Sequence, residues 1–198
     1  MKYLSIIVII LTSFMGFSQD RNWTIETSND GKSTVKYELI KEKNGTHFYY
    51  IAQTTVYVSL EKLDAYFSDS SNHRKFLERT PESTEIKKLS NNEWLTYYYF
   101  DAPWPMRDSD VVARINRIKT DNKLIFNAEA ISNSHKQGDV DRVTDYKFIY
   151  EFEKINDTST KITINADYVP IGSVPNFLIK AWFPEGPAKI VRNLGTMK

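Results

Sequence analysis

Asp108 and Asp110 stand on either side of Ser109. Two carboxylates at that spacing could divide acid and base work if a cleft perturbed one of them. At the loop end of a strand, capping or surface solvation accounts for them more simply. His47, His73 and His135 fall on three separate segments, with no spacing that resembles a zinc site. There is no glycine-rich phosphate loop and no nucleophile elbow. Cysteine is absent, which removes disulfides, thiolate metal sites, a cysteine nucleophile and a lipid-modified cysteine anchor. From these patterns no catalytic residue, metal or cofactor is expected.

The residues left to do chemistry are aromatic. The chain holds 12 Tyr and 11 Phe, and aromatics make up 14% of it, enough large rings to line a core or a cavity. Tyr146, Phe148, Tyr150 and Phe152 share one face of a two-residue period, opposite Asp145, Lys147, Glu151 and Glu153. Ile162, Ile164, Ala166 and Tyr168 repeat the pattern opposite Lys161, Thr163 and Asp167. Such stripes serve as ordinary sheet packing, or as the wall of a pocket where water or a ligand hydroxyl satisfies the buried phenols. Either way one face is wet and the other buried, as in an antiparallel sheet.

Around these stripes the chain reads as one α+β domain without repeats or linkers. Thr34–Ile40 and Thr46–Val58 are strands joined by the hairpin signal Asn44-Gly45. Leu60, Leu63 and Phe67 recur at helical spacing through Ser59–Asp69, with Ser59 as N-cap. His73–Arg79 adds a second short helix that Pro81 ends. Six strands follow at Ser83–Leu89, Glu93–Phe100, Asp110–Lys119, Lys123–Ser132, Arg142–Lys154 and Thr160–Val169, separated by turn residues. A final helix carries the stripe Phe177, Leu178, Ala181 and Trp182 and resumes from Ala188 to Leu194. Pro184, Gly186 and Pro187 should kink or split it. The predicted architecture is a curved antiparallel β-sheet wrapped around a long C-terminal helix, with one or two short helices after the second strand.

Residues 1–18 read as a secretory signal peptide. Lys2 precedes the apolar run Ile6 to Leu11, and Gly16 and Ser18 place small residues before a cut at Gln19. The segment is too short to span a bilayer, which takes roughly 20 apolar residues. Residues 19–198 then form the domain, expected to be periplasmic or secreted and monomeric. Losing Lys2 leaves basic and acidic residues equal in number. Without a basic run there is no electrostatic footprint for nucleic acid. Asn22, Asn44 and Asn156 match the N-glycosylation pattern, which is too short to carry weight.

The segment Phe100-Asp101-Ala102-Pro103-Trp104-Pro105-Met106-Arg107-Asp108-Ser109-Asp110-Val111-Val112-Ala113-Arg114 resembles the signature of the StAR-related lipid-transfer (START) family. There a Pro-aromatic-Pro loop leads into an Arg-Asp-aromatic-Val strand start. Asp167 to Pro175 is similar to the family's turn into its last helix, and Gly186-Pro187-Ala188 through Asn193-Leu194 to the end of that helix. In element order the resemblance covers about residues 23–196. Ser109 stands where the family usually has a loop-fixing arginine, and Arg107 lies two places earlier. The resemblance implies a helix-grip fold that binds a lipid or other hydrophobic ligand internally, with possible transient contact with a membrane.

It also implies site residues. Arg114 matches a strand arginine that points into the cavity of some sterol-binding members and pairs with an acid there. No acid matches on the preceding strand, so Tyr97 and Tyr99 are the expected partners, with Tyr98 offered by the other strand phase. Trp104 is either a packing residue of a rigid turn or part of a gate against the last helix. The expected cavity walls are Tyr146, Phe148, Tyr150, Ile164 and Tyr168 from the sheet, with Phe177, Leu178 and Trp182 from the helix. Besides a carrier or sensor, two readings stand: a cyclase- or hydrolase-like enzyme of the same fold, and a structural protein with a collapsed cavity.

Overall fold

The alternating segments form ten strands in a computed structural model that describes residues 21–43 and 45–197. The expected signal peptide 1–18, its cut at Gln19, and Asn44 of the hairpin turn lie outside the described residues. The chain opens with β1 (Thr24–Thr27), β2 (Ser33–Glu42) and β3 (Gly45–Val56). Next come α1 (Leu60–Ser68), a 3-10 turn at Ser70–Asn72 and α2 (His73–Phe76). Then follow β4 (Glu82–Ser90), β5 (Glu93–Phe100), β6 (Ser109–Lys119), β7 (Lys123–Ala130), β8 (Asp141–Arg142), β9 (Tyr146–Asn156) and β10 (Ser159–Tyr168). The chain closes with α3 (Asn176–Trp182) and α4 (Glu185–Leu194).

The strands make one curved sheet in the order β1-β2-β3-β10-β9-β7-β6-β5-β4. All neighbours in that order are antiparallel, and β8 adds a short parallel pairing to β6. Pairing of β3 with β10 joins the first hairpin to the last strand. The two-residue period does what it predicts. Phe48, Tyr50 and Ala52 of β3, Tyr146 to Phe152 of β9, and Ile162 to Ala166 of β10 all face one continuous core. β1 lies beyond the strands expected from the sequence.

Helices cover that inner face in two places. Ser59 Oγ accepts the Lys62 N–H at 3.3 Å and so caps α1 as expected. α1 lies over β7 and β9, where the Phe67 ring meets Phe126 at 4.3 Å and Tyr150 at 4.7 Å. α4 lies over β2, β3 and β10 and buries Ala188, Ile190, Val191 and Leu194.

The long C-terminal helix of the sequence reading is in fact two helices. The break falls at Phe183-Pro184, because Pro184 has no N–H to give to the preceding turn. Pro187 is tolerated within the first turn of α4, where backbone N–H groups have no helical partner. Gly186 allows the closest contact of this corner. A Cβ there would lie 2.0 Å from the Trp182 indole nitrogen, so the ring rests on the glycine backbone.

Candidate functional site

Between the two helical covers the sheet is roofed but not filled. A cavity of about 810 Å³ opens there, within the range of small-molecule sites. Its floor is the inner face of β3, β10 and β9, through Phe48, Tyr50, Tyr168, Tyr146 and Phe148. Its roof is Leu178, Ile179 and Trp182 of α3 with Ile190 of α4. Loop residues close the ends, among them Leu77, Pro103, Met106 and Ile171. The rings lock one another: Tyr50 meets Trp182 edge-on at 5.6 Å, and Phe148 stacks on Tyr146 at 4.4 Å. Rings so interlocked make a preformed wall.

The polar groups of the interior are phenols. Burial, the largest cause, raises the pKa of Tyr50, Tyr146 and Tyr168 well above the ordinary value of 10.0; neighbouring phenols add to the rise at Tyr50 and Tyr168, while a hydrogen bond with Tyr150 offsets part of it at Tyr146. They are therefore protonated donors at neutral pH. Charged lining residues stand at the solvent edge, each facing an opposite charge. Arg79 lies 3.9 Å from Asp101, Arg107 2.8 Å from Asp141, and Lys189 2.5 Å from Glu78. Among the described residues no group of three or more His, Asp or Glu is placed to hold a metal ion.

Of the residues expected to form the site, Tyr146, Phe148, Tyr168, Leu178 and Trp182 do border the cavity. Tyr150 and Ile164 are buried, but farther along the sheet, outside the cavity wall; Tyr150 packs beneath Phe67 of α1. Phe177 is 59% exposed and turns away from the roof. Trp104 is 87% exposed, while its neighbours Pro103 and Met106 reach the cavity.

Arg114 corrects the sharpest expectation. Val111, Ala113 and Ile115 take the inner face of β6, so Arg114 points outward, 54% exposed, 3.5 Å from Glu93. Tyr97 and Tyr99 lie on the outer face as well. Tyr97 joins Leu95 and Val112 in a small outer cluster, beneath His135 and the Lys136 ammonium. The Tyr99 hydroxyl donates to Asp108 at 2.5 Å. Sequence reasoning missed Phe48 and Tyr50, although they share a two-residue phase with Ala52.

Two polar clusters hold the loops that border the cavity. Asp108 accepts the Ala102 N–H at 3.0 Å and the Tyr99 hydroxyl, which caps the Pro103–Met106 loop as anticipated. Asp110 differs from the expected solvated group. It is fully buried and clasped by the Arg142 guanidinium, which also donates to the carbonyls of Asn133 and His135. Beside the cavity, on the same inner side of the sheet, His73 is fully buried against Phe67, Phe76 and Tyr98. Its Nε2 lies 2.7 Å from the Phe67 carbonyl, which can only accept, so Nε2 carries the proton and Nδ1 accepts from the Tyr98 hydroxyl at 2.6 Å. Desolvation lowers its pKa to about 4.

A curved sheet gripping C-terminal helices around an apolar cavity defines a helix-grip domain. Solved structures agree. The lipid transfer and protein localization domain of human StarD13 superposes with a TM-score of 0.70 at 13% identity, over 90% of each chain. A STAR-related lipid transfer protein of Xanthomonas axonopodis does so at 0.69 and 16% identity, over 88% of this chain and 97% of that one. The chain thus has a START-like fold. A Streptomyces aromatase/cyclase shares it more distantly, with a TM-score of 0.54 and 7% identity over 76% of this chain and 92% of that one. An uncharacterised protein of Pseudomonas aeruginosa is 20% identical over 194 residues, 96% of this chain and 94% of that relative. No family model matches the chain.

Proposed function

We propose that this chain is an exported START-like carrier or sensor that encloses one lipid or other hydrophobic molecule between its sheet and its C-terminal helices. The observation that carries the reading is the aromatic-walled cavity of about 810 Å³. Protein interiors are close-packed and hold few voids larger than a water molecule, so an apolar space of this size is a place for a guest. The lipid-transfer proteins with the same fold point to a lipid. Export rests on the charge, apolar run and small residues of 1–18.

Transient contact with a membrane has support in Trp104 and Phe177. Both are largely exposed aromatics on the segments that border the cavity, and such rings favour the water–lipid boundary. Turnover by the same fold would need an acid or base beside the guest. The floor and roof offer apolar groups and protonated phenols instead, which favours binding.

Solvent extraction of the purified exported protein, followed by mass spectrometry, tests the reading. A stoichiometric lipid supports it. Turnover of an added hydrophobic substrate would put an enzyme in its place, and an interior that takes up nothing would leave a structural protein. Intact mass tests export: a chain beginning at or near Gln19 supports it, and a mass that includes residues 1–18 contradicts it.

A further inference from the structure

The polar groups around the cavity are sorted by depth. Tyr50, Tyr168 and Tyr146 stand on the adjacent strands β3, β10 and β9. Tyr168 is the register partner of Tyr146, and Ala166 lies in register between Tyr50 and Phe148, where its small side chain keeps the floor low. Tyr50 is 1% exposed. The Tyr50 and Tyr168 hydroxyls have no hydrogen-bond partner among the described residues. Neither is a sealed orphan, since Ser33 Oγ is the fully enclosed side-chain polar atom that lacks a partner there. Both hydroxyls therefore open on the cavity. At the mouth the order is reversed: Arg79, Arg107 and Lys189 are exposed, and each is already matched by an acid.

We propose that the cavity selects a neutral hydrophobic molecule bearing a hydroxyl or carbonyl oxygen, received at the floor by Tyr50 and Tyr168, over an anionic lipid of equal chain length. The proposal rests on the reading of the cavity as a cargo site. A carboxylate or phosphate at the floor would be stripped of water with no cation beside it, which is prohibitive for an ion. At the mouth it would compete with acids already in place. A plain hydrocarbon would cover the phenols and leave two buried hydroxyls unsatisfied. A neutral oxygen restores the hydrogen bonds that the phenols give up to exclude water. Burial keeps these phenols protonated, so they remain donors at neutral pH.

The test is displacement of Nile red, a neutral dye, by dodecan-1-ol, sodium dodecanoate and dodecane at about pH 8, where the carboxylate is ionised. The expected result is displacement by the alcohol at a concentration about tenfold below that of the other two, the scale of a satisfied against an unsatisfied buried group. In Tyr50→Phe/Tyr168→Phe that advantage should fall to about threefold or less. The double variant loses no protein hydrogen bond, and its unfolding midpoint is measured alongside. Equal displacement by dodecanoate in the wild type would overturn the proposal, as would an undiminished preference in the folded double variant. A folded wild-type protein that takes up neither dye nor amphiphile would overturn the cargo reading itself and this proposal with it.

Discussion

Mild acid should strip this protein of stability through one side chain, His73. In the folded state the ring is fully buried, neutral, and fixed by donation from Nε2 to Phe67 and acceptance at Nδ1 from Tyr98. Its pKa falls from 6.5 to about 4 through desolvation. Because the folded value lies below the unfolded one, the unfolded chain takes up the proton first as pH falls. The contribution is whole above pH 6.5, declines below it, and is gone near pH 4. A tenfold change in proton affinity is worth about 1.4 kcal/mol, so the full loss is about 3 kcal/mol. With a urea slope of roughly 2 kcal/mol per molar, the midpoint should drop by about 1.5 M across that window. Asp64 does not confuse the measurement. Burial pushes its pKa up, but bonds and charge from Arg117 and Lys119 win and hold it below 3.8, so its contribution is lost only in stronger acid. Urea unfolding of wild type and His73→Gln at several pH values is the assay. His73→Gln should be less stable at neutral pH and much flatter between pH 6.5 and 4. Parallel curves for the two proteins would refute the reasoning.

Four other outcomes follow from the same geometry. Arg142→Met leaves the buried Asp110 carboxylate without its guanidinium and should cost about 3–5 kcal/mol in urea unfolding, the scale for breaking a buried pair. Arg114→Met should change stability by about 1 kcal/mol or less, as for exposed pairs, and leave the Kd for Nile red unaltered. Gly186→Ala must displace the Trp182 ring, so Nile red binding should weaken and tryptophan emission should shift. Trp104→Ala/Phe177→Ala should slow the exchange of cargo with lipid vesicles while leaving the equilibrium Kd in solution within about twofold, since both side chains lie outside the cavity wall.

The parts of the fold legible in the sequence are those with one wet face. In β9 charges alternate with rings and in β10 polar residues alternate with apolar ones, and the structure keeps that phase from Tyr146 to Phe152 and from Ile162 to Tyr168. Proline chemistry likewise located the break in the last helix. The strand phase of β5 and β6 could not be read in the same way. Segment 131–142 packs against their outer face, so Trp94 to Tyr98 and Ser109 to Ala113 are buried on both sides, the polar Thr96, Ser109 and Asp110 included, and no wet-and-dry alternation marks the faces. With no alternation to set the phase, the resemblance alone turned Arg114, Tyr97 and Tyr99 inward, and a one-residue shift of phase exchanges the two faces of a strand. Tyr98, between them, is the tyrosine that faces the core. The extent of the wall was hidden for a different reason. Tyr150 and Ile164 have the right period, but whether such a residue meets cargo or Phe67 depends on where α1 lies along the strand, which periodicity does not encode.

A guest in the proposed site would lie between the floor at Tyr50 and Tyr168 and the roof at Trp182. The most direct test of that placement is a crystal of the protein grown with 12-bromododecan-1-ol, in which anomalous scattering locates the bromine. The expected result is one alcohol per chain, its oxygen within hydrogen-bond distance of the Tyr50 or Tyr168 hydroxyl and its bromine toward Met106 and Ile171 near the mouth. Bromine found only on the outer face of the sheet, or a cavity filled by α3 and closed to the alcohol, would contradict it.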